Sequence, residues 1–129
     1  MHHNVPTRGI PKALRRNYRK RTVNLFYPEN GRASVRIDPL WQGGSKEEYT
    51  FFRHNGAQWA RVSRDQAADI APVLREDGRP VMAYGMAYET ATLRPGCVCV
   101  VGGVFCGKPA TISIHGARED IARIMRGES

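Results

Sequence analysis

The sequence has no apolar run long enough to cross a membrane, only three cysteines, and no acidic residue in its first 21 positions. The longest apolar run, CVCVVGGVFC (97–106), is about half of the ~20 residues that a spanning helix needs. Three cysteines cannot all pair with one another, which excludes a disulfide scaffold and points to a reduced, cytoplasmic setting. The basic start is not followed by an apolar stretch, so no secretory signal is expected. Paired carboxylates, H-E-x-x-H and G-x-S-x-G are all missing, and no repeat exceeds the MAY of 82–84 and 86–88. These absences weigh against an enzyme and predict no cofactor, no metal and no membrane partner.

What is present suffices for one folded domain. The chain has 129 residues, 41% hydrophobic and 9% aromatic, enough for a core without a metal or disulfide staple. Residues 1–21 hold seven of the 20 bases and none of the 12 acids, leaving 13 bases against 12 acids in 22–129. The net charge of +8 is therefore a terminal feature. The chain divides into a basic N-terminal arm or short helix (1–21) and a near-neutral body (22–129).

Hydrophobic periodicity predicts an α+β body. TVNLFY (22–27) and RASVRI (32–37) alternate around PENG and read as a hairpin, with Val23, Leu25 and Tyr27 on one face and Ala33, Val35 and Ile37 on one face of the second strand. EYTFFRHNGAQWARV (48–62) reads as a second hairpin closed by a two-residue Asn55-Gly56 turn, which would set Phe51 opposite Ala60 and Phe52 opposite Trp59. Ser63 and Gln66 form a capping-box pattern, and Ala67, Ile70, Ala71 and Leu74 supply an apolar side for a helix that Pro72 interrupts. MAYGMAY reads as strand, and TATL, CVCVV and ATISI are β-rich runs. GAREDIARIM (116–125) predicts a helix with Ile121, Ile124 and Met125 on one face. The expected fold is a single domain: a curled antiparallel sheet of hairpins with one or two packed helices.

Several motifs approach a known chemistry without reaching it. GGVFCGKP (102–109) almost spells a phosphate loop, but Pro109 stands where a hydroxyl is needed and a strand-like run follows where the phosphates need a helix N-terminus. A glycine-bent strand and turn is the better reading. Cys97, Cys99, Cys106 and His115 invite a zinc reading, yet their spacing lacks the paired knuckles of structural sites, so buried thiols are expected. His54 precedes a turn with no catalytic context. His2 and His3 are expected in a disordered terminus. Phe52 and Trp59, on one hairpin face near Arg61, are either covered by a helix or the arm, the favoured reading, or exposed as a second surface on which bases stack.

The strongest functional signal is RGIPKALRRNYRKR (8–21), in which seven of fourteen residues are basic. Pro11 suits a first helical position, and a helix over 11–21 would put Arg8, Lys12, Arg15 and Arg19 on one stripe, with Arg16 and Lys20 beside it and Leu14 touching Tyr18. So short a helix is marginal alone, so the arm is expected to be mobile until an anion or the body meets it. RRNYRKR resembles, in composition, the arginine-rich RNA-binding peptides of phage and viral regulators. Arg and Lys at this density favour phosphate backbones. The sequence thus predicts a small non-enzymatic protein whose arm (Arg8, Lys12, Arg15, Arg16, Tyr18, Arg19, Lys20, Arg21) engages nucleic acid or a nucleoprotein complex. The alternatives are an inhibitor or adaptor of the mobile-element type docking on an acidic protein surface, and a small enzyme of unfamiliar class.

Overall fold

The computed structural model describes residues 1–15, 22–39, 45–105 and 108–127. The strands are β1 (His2–Pro6), β2 (Thr22–Phe26), β3 (Ser34–Ile37), β4 (Ser45–His54), β5 (Trp59–Val62), β6 (Ala68–Pro72), β7 (Met82–Ala83), β8 (Met86–Ala87), β9 (Glu89–Leu93), β10 (Cys97–Phe105) and β11 (Lys108–Gly116). The helices are α1 (Lys12–Arg15), α2 (Arg64–Ala67) and α3 (Arg118–Met125). The architecture is α+β, as the periodicity predicts. A six-stranded sheet runs β1-β2-β11-β10-β4-β5, a three-stranded sheet runs β3-β9-β6, and β7 and β8 form a separate hairpin. All described pairs are antiparallel except β2 with β11.

The unbroken apolar run of β10 follows from its place inside the large sheet. A strand covered on both faces has no polar side to present. Val98 and Val100 point into one core with Val23, Leu25, Phe52, Ile112 and Ile114, closed over by Ile10, Leu14, Ile121 and Ile124 from the helical segments. Cys97, Cys99 and Val101 point the other way, against Phe51 and the small sheet's Ala33, Val35, Ala91 and Leu93. The result is three layers: helices, six-stranded sheet, three-stranded sheet. The six-stranded layer and the α3 packing realise the predicted α+β pattern; the small sheet on the second face is additional to it.

The 22–37 region departs from expectation. Both strands form with the predicted faces, Val23 and Leu25 buried together and Ala33 and Val35 buried together. They do not pair with each other: β2 lies between β1 and β11, and β3 pairs with β9. Alternation specifies which face is buried but not which strand lies alongside, so PENG carries the chain from one sheet to the other.

The β4–β5 hairpin forms in a register two residues from the predicted one. Phe51 faces Val62, Phe52 faces Arg61 and His54 faces Trp59. The turn residues are Gly56 and Ala57, flanked by an Asn55 N–H to Gln58 carbonyl bond of 3.1 Å. Asn55 stays out of the left-handed region and Gly56 alone enters it, at φ +98, so the turn does not use positive φ at both Asn55 and Gly56 as predicted. The Asn55 side chain decides this by accepting from the N–H groups of both Ala57 and Gln58 at 2.9 Å. A shift of two preserves the strand's alternation, so every predicted face survives.

Ser63 and Gln66 complete the capping box, with Gln66 N–H donating to Ser63 Oγ at 3.2 Å and Ser63 N–H to Gln66 Oε1 at 3.0 Å. The predicted helix nonetheless ends after Ala67. Ala68 is extended at φ −153, and Ala68–Pro72 becomes β6, pairing with β9. Pairing with β9 satisfies backbone groups that a helix broken at Pro72 would leave open. MAYGMAY is a two-stranded hairpin rather than one strand, with Tyr84 (φ 53) and Gly85 (φ 75) as its turn. In α3, Ile121 and Ile124 are buried as predicted, while Met125 turns outward.

Candidate nucleic-acid interface

Pro6 of β1 pairs with Thr22 of β2, so the chain leaves β1 and enters β2 at one place. A single 3-10 turn, Thr7–Gly9, starts the excursion, with Ile10 N–H bonded to Thr7 carbonyl at 2.9 Å. Leu14 N–H then bonds to Pro11 carbonyl at 2.9 Å and opens α1. Ile10 and Leu14, four apart, sink into the core. Arg8 and Lys12 remain exposed, and Arg15 is half-buried, its Nη1 donating to the Arg8 carbonyl at 3.3 Å. Over residues 1–15 the arm therefore meets the body: its apolar side chains complete the first core. Arg16, Tyr18, Arg19, Lys20 and Arg21, and with them the Leu14–Tyr18 contact, lie outside the described residues.

Around the small sheet four arginines have carboxylate partners: Arg32 and Arg94 both pair with Asp69 at 2.9 Å, Arg36 with Asp38 at 2.6 Å, and Arg64 with Glu89 at 3.0 Å. Arg32 and Arg94 hold the Asp69 carboxyl below the usual carboxylate range. No described acidic side chain pairs with Arg8, Lys12 or Arg15. The end of α3 adjoins them: a Cβ on Gly127 would stand 3.8 Å from the Gly9 carbonyl, which brings Arg126 beside the excursion.

Phe52 and Trp59 are 5% and 3% exposed, so they offer no stacking surface. Ile10 and Leu14 pack in the same core and cover them, as the covered reading predicted. Trp59 Nε1 is the one buried side-chain nitrogen or oxygen without a partner among the described residues. Arg61 alone of that trio reaches the surface, at a cavity of about 390 Å³ also lined by Tyr49, Ser63, Arg64 and Gln66.

His54 keeps its predicted place beside the turn, whereas His2 and His3 depart from theirs. His54 sits over Trp59 edge-on at 5.1 Å, and its Nδ1 accepts from Gly56 N–H at 3.1 Å, which makes it part of the turn. His2 and His3 are ordered in β1, where His2 Nε2 and Asn24 Oδ1 are 2.9 Å apart and His3 Nε2 and Tyr27 Oη 2.8 Å. His115 lies 3.2 Å from Ser113 Oγ through Nε2, and burial holds its imidazole down to about 4. That pair lacks the orienting carboxylate of a nucleophilic triad among the described residues. Cys97 and Cys99 are buried free thiols, and burial pushes Cys99 up to about 12. Cys106 lies outside the described residues. Gly102 lies within β10, which continues to Phe105 before β11, so GGVFCGKP spans a strand hairpin and not a strand–helix phosphate loop.

Sequence reasoning did not find a row of rings on the second face of the large sheet. His2 faces Phe26 across β1–β2, and Phe26 faces His115 across β2–β11. Their rings stack, His2 on Phe26 at 4.8 Å and 18°, Phe26 on His115 at 4.9 Å and 11°. The row continues in register through Cys99 and Phe51 to Val62, where the small sheet covers it. The only sequence signal was the alternation of HHNVP and TVNLF, whose pairing was not legible. No protein-family model, curated protein or solved structure matches the chain.

Proposed function

We propose that the protein binds nucleic acid, alone or within a nucleoprotein complex, through the basic excursion of residues 7–21, and performs no chemistry on it. The observation that carries this reading is the density of bases in the first 21 residues, which hold no acid, together with the lack of a carboxylate partner for the described bases there. Five arginines outside the excursion have carboxylate partners within 3.1 Å, whereas Arg8, Lys12 and Arg15 have none among the described acids. Ile10 and Leu14 anchor the segment, so these charges are presented from a fixed base rather than a free tail. Like charges held together are relieved by an external polyanion, and each phosphate neutralised releases counterions.

The test is binding of labelled RNA and DNA as a function of salt. Log affinity falls linearly with log salt, with a slope of about 0.7 to 0.9 per phosphate contact. Replacing Arg8, Lys12 and Arg16 by Ala lowers that slope by roughly two to three and weakens binding. The melting temperature stays close to wild type, because Ile10 and Leu14 remain. Absence of nucleic-acid binding at low salt, with the same variant losing an acidic protein from a pull-down, overturns the reading in favour of protein docking.

A further inference from the structure

We infer that the open end of the ring row, His2 with Asn4 and Asn24, is a stacking step for a base of single-stranded nucleic acid. The inference rests on the nucleic-acid reading above and names the form of nucleic acid it takes. The row is built, not incidental: three rings on three neighbouring strands stand in register, at stacking distance and nearly parallel. It ends on an edge strand, because β1 is the last strand of the large sheet. His2 is exposed, and its only described ring neighbour is Phe26, so its outward face is open to a fourth ring. Base–aromatic stacking is tolerant of sequence because every base has a flat face.

Beside this face stands an amide pair with unused capacity. Asn4 faces Asn24 in the strand register, two residues from His2 and Phe26. Asn24 Oδ1 lies 2.8 Å from Asn4 Nδ2 and 2.9 Å from His2 Nε2. That arrangement spends the Asn24 acceptor and leaves the Asn24 amide donors and the Asn4 carbonyl for a base edge. Two residues further along the same strand pair, Pro6 and Thr22 bound the basic excursion. Four residues of strand, about 13 Å, thus separate the ring step from the phosphate-binding segment. A duplex keeps its bases stacked within, whereas a single strand can lay its backbone on the excursion and turn a base onto His2.

The experiment measures affinity of wild-type protein and of His2→Ala for three probes: a single-stranded RNA, the DNA of the same sequence, and the DNA duplex. His2 is exposed, so its removal leaves the fold intact, which a thermal melt checks. The expected result is that H2A loses about tenfold or more on the single strands, keeps the wild-type salt slope, and leaves duplex affinity unchanged. His2→Trp restores or exceeds the wild-type affinity. The RNA and DNA arms tell which strand is preferred. Equal loss on single strand and duplex, or no loss on either, overturns the inference while leaving the charge-based reading standing. Wild-type protein that binds none of the three probes overturns both.

Discussion

Gly116 faces Val98 at the end of the β10–β11 pair so closely that a Cβ built on it would lie 2.8 Å from Val98 Cγ1 and 3.4 Å from Ile121 Cδ1. Here the last residue of β11 lets α3 turn back onto the sheet. Val98 is fully buried and β-branched, so it has no alternative rotamer to retreat into. Gly116→Ala is expected to destabilise the protein by about 1 to 3 kcal/mol, an overpacking cost. Chemical denaturation of G116A measures this; an unchanged midpoint would mean that α3 shifts freely on the sheet.

His115 makes stability depend on pH. Burial lowers its folded pKa to about 4 from 6.5, so the unfolded chain binds a proton that the folded chain refuses. The stabilisation is complete above pH 6.5 and lost as pH falls from there towards 4. The loss is on the order of 3 kcal/mol. Denaturation midpoints across that range check it, and His115→Phe, which keeps a ring against Phe26, should flatten the profile.

Tyr84 occupies the left-handed region at φ 53 while its side chain is 64% exposed. No burial compensates the backbone strain of a bulky residue there. Tyr84→Asn is expected to raise stability by about 1 kcal/mol. Gly85→Ala, at φ 75, should lower it by a similar amount. Paired melts of the two variants read both signs.

Cys99 is fully buried and its thiol is pushed up to about 12, so thiolate is scarce at neutral pH. In a Cys106→Ser background, a thiol reagent should label Cys97 and Cys99 only at the rate of unfolding. Fast labelling of the native protein would contradict the packing of β10 against the small sheet.

Much of the architecture was legible in local chemistry. The side-chain alternation of TVNLF and RASVRI named the buried faces, Ser63 with Gln66 named a helix start, and REDIARIM carried its own amphipathic period. These depend on neighbours within a few residues, which the sequence states directly. The covering of Phe52 and Trp59 followed from their bulk, although the covering residues, Ile10 and Leu14, could not be named in advance.

The basic segment shows both limits. Its charge is a property of composition and was read at once, together with the residue types suited to phosphate. That Ile10 and Leu14 pin the first half of it to the sheet depends on a cavity formed by strands far away in the chain. The ring row has the same character. His2, Phe26 and His115 are separated by long stretches of sequence, and their meeting required β1 to pair with β2 and β2 to run parallel to β11. Strand partners are chosen by the whole set of buried faces closing together, since backbone hydrogen bonds are alike at every residue and carry no address. The sequence by itself determined where most of the strands begin, which side of each is apolar and where the basic residues are densest. Only the tertiary structure decided which strands are neighbours, and therefore which side chains share a site.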